Sequence, residues 1–152
     1  MRIADSFVVQ APIDRTWTAI TDPAIVGTCM PGCEEIETVS DTFYRAKVRI
    51  KIGPISAIFA LKVEVLEEQP PTRIVFISRG KEGDRASKVQ AENTLTLEPL
   101  DGGATKVLYE SEVLVTGRLA KFGFGMMKKK AQSLAEEFAS SLEDRLNAVV
   151  NG

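Results

Sequence analysis

The sequence contains no histidine. Without an imidazole, Ser-His-Asp and Cys-His catalysis and the common histidine-based zinc triads are all excluded. Cysteine is scarce as well: Cys29 and Cys33 stand four apart around Met30-Pro31-Gly32. They read as reduced thiols before they read as a disulfide or redox pair. A metal site built on them lacks partner ligands. Aromatic residues make up 7% of the chain and the net charge is −2, so neither base stacking nor a basic excess points to nucleic acid. No apolar run approaches the roughly 20 residues of a membrane-spanning helix. Charges within the first five residues leave no apolar stretch of signal-peptide length there. The expectation is a soluble, cytoplasmic chain, its 152 residues forming one domain over 1–152.

What the sequence does have is a change of period. Residues 3–10 alternate as a short strand with Phe7 and Val9 on one face. Ala11-Pro12 opens a helix, proline in its first turn, in which Ile13, Trp17 and Ile20 recur at helical spacing, so Trp17 points inward. Asp22 is the expected N-cap of a second short helix, which Pro31-Gly32 stops. From Cys33 onward the period is two. Along residues 44–52, Ala46, Val48, Ile50 and Ile52 alternate with Arg45, Lys47, Arg49 and Lys51, which predicts a half-buried strand with a basic outer side. Gly53-Pro54, Gln69-Pro70-Pro71, a polar turn at 81–84 and Asp101-Gly102-Gly103 separate the strands that follow. Turns this short make an antiparallel meander, whose apolar face has one long helix to cover it. The fold class is α+β: a seven-stranded curved antiparallel sheet around a long C-terminal helix, with two short helices between strands 1 and 2.

The inward positions carry the candidate site. Counting back from the Asp101-Gly102-Gly103 hairpin puts Asn93 opposite Ser111 and Leu95 opposite Tyr109. An amide facing a hydroxyl either satisfies itself or supplies the few polar groups of an apolar pocket. Small inner residues, Ala46, Ala57 and Ala91, leave room for a pocket or for close helix packing. The ligand-binding candidates are Trp17, Phe59, Phe76, Leu95 and Tyr109 as walls, with Asn93 and Ser111 as polar anchors. No residue reads as an activated nucleophile, acid or base. Arg79 and Arg85 flank a polar turn, either as surface charge or as partners for an anion at a cavity mouth.

The closing segment, residues 117–150, holds a conflict. Met127, Ala131, Leu134, Phe138, Leu142 and Val149 form one apolar stripe. At about 100° per residue, Phe122 and Met126 lie roughly 150° away from it. Either the helix bends near Gly123 and Gly125, or those side chains serve something besides the core. Phe122 and Met126 are read as a gate to the cavity. Phe124, Met127, Lys128, Lys129 and Lys130 are read as a docking patch for a partner protein or an anionic membrane face, with a solvated helix face as the alternative.

Three stretches together resemble one family: Ala-Pro followed by Trp17, DPAIVGTCMPGCEE at residues 22–35, and VTGRLAKFGFG leading into the last helix. The chain resembles the carbon monoxide dehydrogenase G-subunit family, of the START-like (SRPBCC) helix-grip superfamily, over nearly its whole length. The resemblance implies a non-catalytic accessory protein beside a molybdenum hydroxylase of the carbon monoxide dehydrogenase type. It also implies a hydrophobic cargo, a quinone or a lipid, between sheet and helix, and no covalently bound cofactor. Some members continue into a C-terminal extension suited to membranes. Here the sequence ends at Gly152, so peripheral contact with the inner membrane face would fall to residues 122–130. The alternatives are a ligand-free assembly or membrane-recruitment factor, or a cyclase- or hydrolase-like enzyme of the same superfamily.

Overall fold

The computed structural model describes residues 1–83 and 87–151, with side chains as far as 147. In chain order the elements are β1 (Arg2–Val9), α1 (Ile13–Ile20), α2 (Pro23–Cys29), β2 (Cys33–Ser40), β3 (Phe43–Ile52), β4 (Ile55–Gln69), β5 (Arg73–Glu82), β6 (Ser87–Leu100), β7 (Ala104–Gly117) and α3 (Gly123–Asn151). The strands make one sheet in the order β1-β7-β6-β5-β4-β3-β2, every neighbouring pair antiparallel. Strands β2 to β7 follow each other as hairpins, and β1 pairs along β7. Gly102 (φ 82°) and Gly103 (φ 79°) occupy left-handed backbone, which lets β6 and β7 reverse without slipping register. The register read from that hairpin holds: Asn93 pairs with Ser111 and Leu95 with Tyr109.

The core is divided. One cluster gathers Val9, Ala19, Leu97 and Val107 with Leu142 and Leu146, seating the far end of α3 on β1, β6, β7 and the two short helices. Two hydrogen bonds tie this end together: Thr105 Oγ1 donates to the Ala11 carbonyl at 2.7 Å, fully buried, and Arg15 donates to the Leu146 carbonyl at 2.6 Å, part-buried. The other cluster gathers Ile52, Ala57 and Phe59 with Leu119, where the chain leaving β7 lies on the β3–β4 hairpin. Asp22 caps α2 as expected, accepting from the Ala24 amide at 2.9 Å.

The structure corrects the sequence reading in places. Pro12 stands just before α1, in extended conformation, rather than inside its first turn. Strand β5 runs on through Lys81 and Glu82, so the turn expected at 81–84 begins only at Gly83. Asp84, Arg85, Ala86 and the side chain of Val149 lie outside the described residues. Residues Arg118–Phe122 form a separate 3-10 turn, bounded by Gly117 (φ 87°) and Gly123 (φ 78°), and α3 starts only at Gly123. The break therefore falls at Gly123, and Gly125 lies inside the first turn of α3.

Leu142, 0% exposed, and Leu134, half-buried, sit on the same stripe of α3. Urea unfolding should report a loss of about 2–5 kcal/mol for Leu142→Ala, the range of a core truncation. Leu134→Ala should cost about 1 kcal/mol or less, because its side chain faces space that is already unfilled.

Candidate functional site

Between the two clusters, α3 does not reach the sheet. The gap is a cavity of about 500 Å³, walled by Tyr44, Leu61, Phe76 and Val89 from the sheet and by Met127, Leu134 and Phe138 from α3. Small-molecule sites span roughly 300–1,000 Å³, so the gap has the size of a ligand site rather than of a packing defect. Its origin is visible in the facing residues. Ala46 and Ala91 stand on the sheet and Ala131 and Ala135 on the helix, and side chains this short cannot bridge the separation. Phe76, Leu95 and Val113 consequently stay half-buried, whereas Phe59 and Val107 inside the clusters are 1% exposed.

One polar cluster interrupts the apolar wall. Ser111 Oγ donates to Asn93 Oδ1 at 2.7 Å, and Asn93 Nδ2 donates to Ser78 Oγ and to the Ala91 carbonyl, both at 3.2 Å. The register produces this meeting: Asn93 pairs with Ser111 on β7 and with Phe76 on β5, which puts Ser78 two residues along on the same face. The amide protons of Asn93 are thereby engaged. The Ser78 hydroxyl proton has no acceptor among the described residues, and Ser111 Oγ keeps lone pairs free. The pair can therefore give a hydrogen bond to a carbonyl or take one from a hydroxyl.

Two tyrosines and one thiol on the wall are held protonated. Burial pushes the Tyr44 hydroxyl up to about 12, with a smaller push from Cys33. Tyr109 is raised by burial first and then by Asp5 and Glu136, and Phe7 stacks obliquely on its ring at 6.3 Å. Burial raises the Cys33 thiol, against a smaller opposing effect from its hydrogen bond to the Glu35 carbonyl. Cys29 and Cys33 are both free. Shifts of this sign give neutral donors, not nucleophiles. The arrangement can bind and orient an apolar molecule with a polar end.

At the other end the 3-10 turn is latched down. Arg118 pairs with Glu82, Nε to Oε2 at 3.0 Å, and the Leu119 amide donates to Ser87 Oγ at 3.2 Å. The Phe122 ring lies on Gly53, where a Cβ would come within 3.1 Å of it. Beyond the break, Phe124 (48%) and Met126 (46%) are exposed, and Lys128 Nζ sits 5.8 Å from the centre of the Phe124 ring.

The family model for the G-subunit of carbon monoxide dehydrogenase (CoxG) matches residues 6–147. The chain belongs to the CoxG family. Among solved structures, a conserved protein from Geobacillus kaustophilus is 23% identical, with a TM-score of 0.90, covering 97% of this chain and 96% of its own. A START superfamily protein from Mycobacterium smegmatis is 18% identical, with a TM-score of 0.76 over 97% and 98%. At such identities the likeness shows the fold, which is START-like. No curated protein matches the sequence.

In this CoxG family member, the cavity brings together Phe76, Asn93, Leu95, Tyr109 and Ser111. It leaves out four other candidates. Trp17 packs on the outer side of the cluster around Leu142, and Phe59 lies inside the cluster with Leu119. Phe122 seals the β3–β4 turn, and Met126 points to solvent. Met127, assigned to docking, lines the cavity instead, and so does Lys130, while Phe124, Lys128 and Lys129 stay with the outer patch. Arg79 points away, on the outer face of the sheet. Sequence reasoning missed Ser78 and Tyr44 as site residues. Period-two alternation from Phe76 puts Ser78 on the same face, and its position relative to Asn93 is the available signal.

The Tyr44 shift has a pH consequence. A phenol that ionises near 10 unfolded and near 12 folded adds stability below pH 10, and that stability is lost as pH rises toward 12. Unfolding followed from pH 9 to 12 should lose on the order of 2 kcal/mol. Tyr44→Phe should flatten that part of the profile, and the tyrosinate absorbance that appears last in the parent, near pH 12, should be missing from the variant.

Proposed function

We propose that this CoxG family member is an accessory carrier that holds a quinone or a lipid-like molecule between the sheet and α3, in the service of a molybdenum hydroxylase of the carbon monoxide dehydrogenase type. One observation carries the reading: a mainly apolar cavity of about 500 Å³ with a hydrogen-bonded polar cluster on its wall. The division of labour follows. Each methylene buried on the apolar walls contributes about 0.8 kcal/mol, so affinity scales with the apolar body of the ligand. The Ser78–Asn93–Ser111 cluster adds orientation, since it can donate to a quinone carbonyl through Ser78 and accept from a quinol hydroxyl through Ser111. Lys130, which also lines the cavity, offers a cation to an anionic head. Neutral tyrosines and a raised Cys33 thiol favour carriage over acid–base turnover.

A second reading rests on the outer patch. Exposed Phe124 and Met126 beside Lys128 and Lys129 suit recruitment to an anionic membrane face or to the partner enzyme. Among the described residues no helix is long and apolar enough to cross a membrane, so such contact would be peripheral.

Titration with a short-chain ubiquinone, followed by quenching of Trp17 or by calorimetry, separates these readings. The parent should bind, and Ala91→Trp, which places an indole in the cavity, should weaken binding by about tenfold or more. Phe124→Asp with Met126→Asp should leave that affinity unchanged. If Ala91→Trp binds the quinone as the parent does, the cavity is not its site.

A further inference from the structure

The outer face of the sheet carries a second concavity, about 1,000 Å³, on the side away from α3. Its floor is built by strand register. One cross-strand row reads Arg45, Lys62, Arg79, Gln90 and Leu114 from β3 to β7, and the next reads Lys47, Ala60, Lys81, Lys88 and Thr116. Six cations thus surround Ala60, on a chain whose net charge is −2. Directly opposed side chains on neighbouring strands are roughly 5 Å apart, and like charges there destabilise the pairing. Arg45 faces Lys62, Lys62 faces Arg79, and Lys81 faces Lys88.

Little in the molecule relieves that repulsion. Lys47 meets Glu35 at 3.6 Å, and Arg45 lies over the Phe43 ring at 5.8 Å. Among the described residues no carboxylate pairs with Arg45, Lys62 or Arg79. The charges are also segregated. The row on the far side of Arg45 and Lys62 turns acidic, with Glu64, Glu92 and Glu112 in line. Folding alone gives no reason to concentrate the cations in one recess.

We infer that this recess is a docking groove for an acidic segment of a partner protein. Charge complementarity sets the sign of the partner, and three further features select its class. The cations line a concavity, which an extended segment can follow along its length, whereas a flat bilayer meets only its rims. No aromatic side chain lines the groove, so nucleic-acid bases find no stacking platform. Glu35 and Glu37 on the β2 rim and Leu114, 64% exposed at the β7 end, make the surface mixed: acidic, then basic, then apolar. A protein segment can match all three, its carboxylates seated on the cations. The groove and the ligand cavity lie on opposite faces of one sheet, so a docked partner leaves the cavity free.

The test compares two variants of equal charge change. Labelled poly-L-glutamate should bind the parent at low salt and release as salt is raised. Lys62→Glu with Arg79→Glu should bind it about tenfold or more weakly, with a melting temperature near the parent's, because the two new carboxylates oppose each other as Lys62 and Arg79 did while the one at position 62 now faces Arg45. Lys128→Glu with Lys129→Glu, on the far patch, should retain the parent affinity. Equal loss in both variants, or no loss in the first, overturns the groove. Binding of phosphatidylserine vesicles or of oligothymidylate through Lys62 and Arg79, as tight as that of polyglutamate, overturns the choice of a protein partner.

Discussion

A rod laid across a curved sheet touches it only where curvature brings the two together. In this chain those places are Leu142 and Leu146 at one end and Leu119 with the β3–β4 hairpin at the other. Hydrogen bonds fix the first contact, and the Arg118–Glu82 pair fixes the second. Between them α3 is held off the sheet by its own geometry, and alanines on both sides leave the separation open. The cavity is therefore a consequence of where the helix is anchored. Any function attributed to the interior depends on those two attachments.

The break at Gly123 belongs to the same arrangement. A helix continuing smoothly from β7 would carry the 3-10 turn away from the hairpin it covers. Positive φ at Gly117 and Gly123 lets residues 118–122 fold down on Gly53 before α3 sets out on a new axis. One end of the cavity is closed by this turn and not by the helix itself. Leu119 lines that end of the cavity, and the Phe122 ring holds the turn down on Gly53.

Much of this was legible in the sequence, and the rest was hidden for physical reasons. Alternation gave the inward positions on most strands, and one Asp-Gly-Gly turn gave the Asn93–Ser111 and Leu95–Tyr109 pairs. Period two says which face a side chain takes, not how far the helix stands from it. That is why Phe59, deep in a cluster, and Phe76, on the cavity wall, looked alike. The helical wheel failed at Phe122 because phase cannot be carried through a positive-φ break; Met127 and Met126, past the break, sort correctly as inward and outward. The outer basic side of β3 was also legible. Its extension across β4, β5 and β6 was not, since that depends on the register of each successive hairpin.

Whether the interior is a carrier's cavity is tested most directly by native mass spectrometry of the freshly purified chain, before and after organic extraction. A carrier should show a mass above that of the polypeptide, lost on extraction, with the released compound an apolar molecule bearing a carbonyl or hydroxyl head. It should also regain the added mass when a quinone is supplied. A bare polypeptide mass throughout, unchanged by added quinone, would contradict it.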